Sequence, residues 1–216
     1  MKNNGYKAVI YDCDGVMFDS FEANFTFYSL LLEQFGKPLL DRDDTQTMRM
    51  LHTYSNMDVI EYLFADDKQR EEARAYAGNI GYRQLTPLMR MEDGLRETLE
   101  LLSPRVALAV CTNRATSMEM LLDDFGLASY FTCVMTANKV QNPKPHPEPL
   151  LKVLAHYGLS PTEALFVGDS DVDRQSAQAA DVPFVAYKTD LPALAHISRH
   201  QDILDILDGH RVTTSR

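Results

Sequence analysis

Positive charge is scarce in this sequence. Lys and Arg number 21 against 31 Asp and Glu, giving a formal net charge of −10 and a pI near 5.0. That field disfavours non-specific association with nucleic acid or anionic membranes. It also repels a phosphate-bearing substrate, which would need local positive charge from a metal or a placed lysine. Cysteine is scarce too. Cys13, Cys111 and Cys133 show no CxxC or Cys/His zinc spacing, so they read as small buried thiols in strands. An odd count without a framework points to a reducing compartment. No apolar run approaches the ~20 residues of a membrane span. The opening segment MKNNGYKAVIYD has too short an apolar stretch for a signal peptide, so the cytoplasm is the expected location. There is no internal repeat and no low-complexity segment.

What is present is an alternation of strands and helices. Lys7–Tyr11, Val106–Cys111, Thr132–Thr136, Ala164–Val167 and Phe184–Tyr187 are short apolar runs rich in β-branched or aromatic residues, and they read as strands. Helical patterns fall between them at Leu95–Leu102, Ser117–Phe125 (after Thr116 as N-cap), Pro147–Tyr157 and Arg174–Ala180. This rhythm predicts an α/β fold: a Rossmann-like parallel sheet with helices on both faces. One interval breaks it. More than ninety residues separate Tyr11 from Val106, and most of the excess is helical: Phe21–Phe35, Thr45–Leu51, Asn56–Phe64 and Asp67–Tyr82. Residues 19–88 therefore read as a helical insertion after the first strand, leaving 1–18 and 89–216 as the core. The tail after about residue 209 is expected to fray.

Three polar clusters follow strand ends. They are Asp12-Cys13-Asp14-Gly15, Thr112-Asn113-Arg114 and the run from Gly168 to Asp173. In open α/β sheets ligands bind at the carboxyl ends of the strands, so these segments converge. Asp12, Asp14, Asp169 and Asp173 would then share a small volume, which is tolerable only with a cation or with some carboxyls protonated. An all-oxygen donor set favours Mg²⁺. A calcium loop starting at Asp169 is excluded, because Arg174 and Ala180 stand where Gly and Glu are needed. Asp12 and Asp14 lie two apart, and Gly15 lets the chain turn. One carboxylate can attack phosphorus while the other handles the leaving-group proton. Taken singly, the same residues also make an ordinary turn. Thr112 and Asn113 offer a hydroxyl and backbone N–H groups to phosphate oxygens. Lys144 sits among three prolines, Pro143, Pro145 and Pro147, which present its ammonium at low entropic cost. His146 is given no catalytic role. Arg114 is left between a substrate anion and a surface salt bridge.

Together these residues resemble the haloacid dehalogenase superfamily of phosphohydrolases. Its four motifs occur in order, as Val9-Ile10-Tyr11-Asp12-Cys13-Asp14-Gly15-Val16, Val110-Cys111-Thr112-Asn113, Lys144-Pro145, and Phe166-Val167-Gly168-Asp169-Ser170-Asp171-Val172-Asp173. The resemblance implies Asp12 as nucleophile and Asp14 as general acid and base, with its carbonyl on the metal. It implies Thr112 and Asn113 on the phosphoryl oxygens, Lys144 as the neutralising cation, and Asp169 and Asp173 around Mg²⁺. The insertion resembles the helical cap of the phosphoglycolate phosphatase and β-phosphoglucomutase branch, which closes over the site and selects the substrate.

Departures within the superfamily narrow the reaction. Haloacid dehalogenases and phosphonoacetaldehyde hydrolases lack the second aspartate, present here as Asp14. The latter also need a cap lysine, and only Lys37 and Lys68 are available. β-Phosphoglucomutases carry a histidine ten residues past the second aspartate, where this chain has Asn24. The expectation is a phosphatase for a small phosphorylated metabolite, with a phosphomutase as the alternative. Polar candidates in the insertion are Asn24, Arg49, His52, Tyr54, Asn56 and Arg83. Arg49 and His52, three apart on a helix, are expected to meet the substrate together.

Overall fold

Among the described residues, six short strands form one all-parallel sheet, in the order β5-β4-β1-β6-β7-β8. They are β1 (Ala8–Tyr11), β4 (Ala107–Cys111), β5 (Cys133–Met135), β6 (Ala164–Gly168), β7 (Phe184–Tyr187) and β8 (Ala195–Ile197), numbered so that the two-stranded hairpin of β2 (Phe18–Asp19) and β3 (Arg90–Met91) keeps its place in the chain. The computed structural model describes residues 5–64 and 67–209. The tail expected to fray lies outside them. The α/β architecture read from the sequence is the one observed. Three features were not foreseen. β8 is short and only partly apolar, the β2–β3 hairpin has two residues per strand, and the helix over Asp171–Ala179 begins three residues earlier than its Ala/Gln pattern suggested.

Parallel strands buried on both faces need apolar residues at every position, and β1 supplies them without interruption. Val9 and Tyr11 pack on one face with Leu108, Val110, Leu165 and Val167. Ala8 and Ile10 face the other way, toward Ala109, Cys111 and Phe166. β1 lies between β4 and β6, with Tyr11 in register with both Val110 and Val167. The chain order reverses across this strand, so the crevice at its carboxyl end is where a ligand belongs.

Among the described residues, four helices lie between the hairpin strands: α1 (Phe21–Gln34), α2 (Thr45–Thr53), α3 (Asn56–Leu63) and α4 (Asp67–Ala77). The last is shorter than expected, because the chain beyond it forms 3₁₀ turns over Tyr82–Gln84 and Thr86–Leu88. Asp44 and Ser55 cap α2 and α3 by accepting from the N–H of Thr47 and Asp58. Phe27, Leu31, Leu51, Val59 and Phe64 bury into the same apolar cluster as one face of the sheet, so the insertion shares the core. The remaining helices, α5 (Leu95–Leu102), α6 (Met118–Asp124), α7 (Glu148–Tyr157), α8 (Asp171–Ala179) and α9 (Asp202–Leu207), complete the chain. α6 follows Ser117 rather than Thr116, and Ser117 makes no side-chain cap bond. Among the described residues no helix is long and apolar enough to cross a membrane.

His200 is fully buried, with its ring stacked on Tyr187 at 4.6 Å. Burial pushes its pKa down to about 4. The unfolded chain binds this proton near pH 6.5 and the folded chain does not, so the group costs stability as pH falls from 6.5 toward 4, by at most about 3 kcal/mol. In urea titrations at pH 7.5, 6 and 5, His200→Phe is expected to lose less stability on acidification than the wild type. An equal loss would show that His200 does not set that slope.

Candidate functional site

The Asp12 N–H donates to Val167 O at 2.9 Å and the Thr112 N–H to Met135 O at 2.9 Å. Each bond extends its strand's ladder by one residue and holds the side chain at the carboxyl edge of the sheet. Gly15 then turns the chain at φ +77°, and a Cβ there would lie 2.1 Å from Asp169 Oδ2. Glycine therefore permits the turn and also leaves room for the Asp169 carboxylate. Gly168 is constrained in a similar way, since its Cβ would meet that of Asp173 at 2.6 Å. The start of α8 orients Asp173. Ser170 caps the helix by accepting the Asp173 N–H, while Asp173 Oδ2 accepts the Ser170 N–H at 3.2 Å.

Lys144 joins the clusters. Its side chain is 2% exposed, and Nζ donates to Asp12 Oδ1 at 2.7 Å, Asp173 Oδ1 at 2.6 Å and Cys111 O at 3.0 Å. Oxygens of Asp12, Asp169 and Asp173 lie within 4.8 Å of one another. Burial and the neighbouring Asp173 push the Asp12 and Asp169 carboxyls above the usual range, and Lys144 only partly restrains them. Three convergent carboxylates against one ammonium leave negative charge uncompensated, and an all-carboxylate set fits a hard divalent cation.

Asp14 faces elsewhere. Its carboxylate accepts from Arg114 Nε at 2.8 Å and Nη2 at 2.6 Å, and also from the Ser20 hydroxyl. Burial raises its pKa, but the guanidinium and Ser20 outweigh that and hold it below the usual carboxylate range. Arg114 is buried in this pair, which excludes the surface salt bridge. Asp14 and Arg114, with Asn24, Phe27, His52, Asn56 and Tyr82 from the segment between β2 and β3, line a cavity of about 40 Å³.

Geometry and sequence meet in one comparison: the family model of the haloacid dehalogenase-like hydrolases matches residues 9–187. The chain belongs to that family. A HAD-superfamily hydrolase of subfamily IA, variant 1, from Geobacter sulfurreducens is 59% identical, with a TM-score of 0.83 over 94% of this chain and 100% of that one. A phosphoglycolate phosphatase of Salmonella paratyphi A is 46% identical over 81 residues, 37% of this chain and 32% of its own. The chain thus spans about a third of the length of the curated relatives it matches. A β-phosphoglucomutase from Clostridium difficile, 17% identical with a TM-score of 0.79 over 92% of this chain and 93% of that one, shares the fold.

This haloacid dehalogenase-like hydrolase brings Asp12, Lys144, Asp169, Asp173, Thr112 and Asn113 to one edge, as the sequence led us to expect. The Asn113 amide, however, donates to Thr53 O at 3.2 Å and Lys144 O at 3.0 Å. It ties α2 to the core, and its backbone N–H has no protein acceptor among the described residues. Asp14 enters the carboxylate group only through its backbone position, since Arg114 draws its side chain away. Arg49 and His52 do not converge. His52 lines the cavity, while Arg49 is exposed, lies outside the lining and faces Asp171 electrostatically. Three residues on a helix sweep about 300°, which leaves an offset of about 60°, so the two side chains leave α2 in different directions. Arg83 is likewise exposed and outside, whereas Asn24, Tyr54 and Asn56 line the cavity. His146 is exposed and accepts the Glu148 N–H at 3.1 Å. Ser20 and Tyr82 were missed. Ser20 carries only the weak signal of a serine before a helix, and Tyr82 reads as a packed aromatic.

Proposed function

We propose that this protein is a magnesium-dependent phosphatase that hydrolyses a small phosphomonoester through an aspartyl-phosphate on Asp12. The observation that carries the reading is the Lys144 clamp. It fixes the Asp12 carboxylate in the cavity lining and leaves the second oxygen, Oδ2, unbonded by lysine. Residues 19–88 act as the cap that closes the cavity and excludes water.

Asp12 attacks phosphorus, and the P–O bond to the leaving group breaks. Asp14 supplies the proton that the departing oxygen needs. Water then attacks the aspartyl-phosphate, Asp14 removes its proton, and phosphate leaves with Asp12 restored. The arrangement around Asp14 favours its ionised form, which the second step needs. The approach of a phosphate dianion raises its pKa and favours the protonated form that the first step needs. The Thr112 hydroxyl and the Asn113 N–H would donate to the phosphoryl oxygens, and Lys144 would offset their charge. Asp12, Asp169, Asp173 and the Asp14 carbonyl would hold Mg²⁺, which supplies neutralisation of the phosphoryl oxygens. The phosphomutase alternative has no support in the cavity, where Asn24 stands in place of a histidine.

The test is phosphate release from a panel of small phosphomonoesters with Mg²⁺ and with a chelator. Release that depends on the metal and needs no bisphosphate activator is expected. Transfer to a second sugar hydroxyl without net release would overturn the reading in favour of a mutase.

A further inference from the structure

Three potential cations line the cavity among the described residues: Lys144, Arg114 and His52. Each is already engaged. Lys144 uses three donors on Asp12, Asp173 and Cys111 O. Arg114 gives Nε and Nη2 to Asp14, Nη1 to Ser117 Oγ at 3.2 Å, and Nη2 also to Asn24 Oδ1 at 3.4 Å. The last contact orients Asn24. A guanidinium can only donate, so Oδ1 faces Arg114 and Nδ2 faces His52 Nδ1 at 3.4 Å. His52 then accepts at Nδ1 and carries its proton on Nε2, so the ring is neutral. Burial also holds its pKa below the ordinary value.

The charge balance points the same way. Asp12, Asp14, Asp169 and Asp173 face two cations, and one divalent metal brings the site to neutrality. A phosphomonoester dianion then makes it negative. A carboxylate on the leaving group would add a further charge at the end formed by Asn24, Phe27, His52, Asn56 and Tyr82, where no free cation awaits it. That end instead offers neutral hydrogen-bonding groups. Tyr82 Oη accepts from Asn56 Nδ2 at 2.7 Å, which leaves its own O–H to donate. Elsewhere in the cavity lining, Asn113 Oδ1 is buried without a partner and can accept. Mixed donors and acceptors of this kind match hydroxyl groups, which both give and take.

Resting on the phosphatase reading, we infer that the leaving group is an uncharged, hydroxyl-bearing fragment rather than a carboxylate-bearing one. This separates the chain from relatives named for phosphoglycolate, which it matches over only about a third of their length.

Matched esters test it: 2-hydroxyethyl phosphate against 2-phosphoglycolate, and glycerol 3-phosphate against 3-phosphoglycerate, with Mg²⁺ and the wild-type protein. The uncharged member of each pair is expected to have the higher kcat/KM by about tenfold or more. Parity, or a preference for the carboxylates, would overturn the inference. His52→Lys, placing a cation at that end, is expected to raise the relative kcat/KM of the carboxylate members by about tenfold. No change in a folded variant would count against the inference. Calorimetric binding of the same pairs to Asp12→Asn needs no turnover. Absence of hydrolysis of any ester by the wild type would sink the phosphatase reading, whereas tighter binding of the carboxylates would sink this inference alone.

Discussion

Lys144→Met is expected to destabilise the metal-free protein by about 3–5 kcal/mol, because it leaves buried carboxylates without their partner. Asp12 and Asp173 would face each other with, among the described residues, only backbone and serine donors nearby. Methionine fills similar space and supplies no charge, so the deficit reports the ion pairs rather than a void. The pH dependence follows from the direction of the carboxyl shifts. Asp12 already sits above the usual range through burial and Asp173, and losing Lys144 moves it higher. A group whose pKa is raised on folding stabilises the fold below its unfolded value and loses that contribution as pH rises through the folded value. The deficit of Lys144→Met is therefore expected to be small near pH 4.5 and large at pH 8, as urea unfolding at both values would show. Saturating Mg²⁺ should recover part of it. Activity is expected to fall by about 10²–10³ or more, as for loss of a charge aimed at the reacting group.

Asp12→Asn separates function from folding. Phosphate release is expected to drop by about 10⁴-fold or more, since an amide cannot replace the nucleophile. Stability should move the other way. The substitution removes one of three crowded carboxylates while Lys144 keeps its contact with Asp173 at 2.6 Å. Between pH 6.5 and 8 the metal-free wild type should lose stability as Asp12 and Asp169, both raised by burial, give up their protons. The variant should lose less over the same interval. His200 contributes equally to both proteins in this window, so it cancels from the comparison. Equal slopes for the two proteins would show that Asp12 is not protonated in the metal-free site.

The parallel sheet was legible because β1, β4, β6 and β7 are unbroken apolar runs. Its edge was less so: β8 has a half-buried Ala-His pair before Ile197, a pattern no stronger than that of a loop. The core site was legible because fold geometry brings strand ends together wherever their side chains point. Direction itself was not legible. Nothing in Thr112-Asn113-Arg114 says that the guanidinium runs inward to Asp14 while the asparagine amide turns to Thr53. Such choices depend on which buried donor finds an acceptor in three dimensions. The insertion shows the same limit. Helical spacing put Arg49 and His52 on one face, but where that face ends depends on how α2 packs against α1 and the core. Asn24 and Tyr82 became part of the cavity through that packing alone.

The proposed reaction passes a covalent phosphoryl group through Asp12. The most direct measurement is acid quench of the wild-type protein during turnover of a good ester, followed by borohydride reduction and peptide mass analysis. An acyl phosphate at position 12 would be reduced to homoserine there, only with substrate and Mg²⁺ present, and no such product should form in Asp12→Asn. Homoserine at Asp14 or Asp169 instead, or turnover that leaves position 12 unmodified under a quench shown to trap acyl phosphates, would contradict the mechanism.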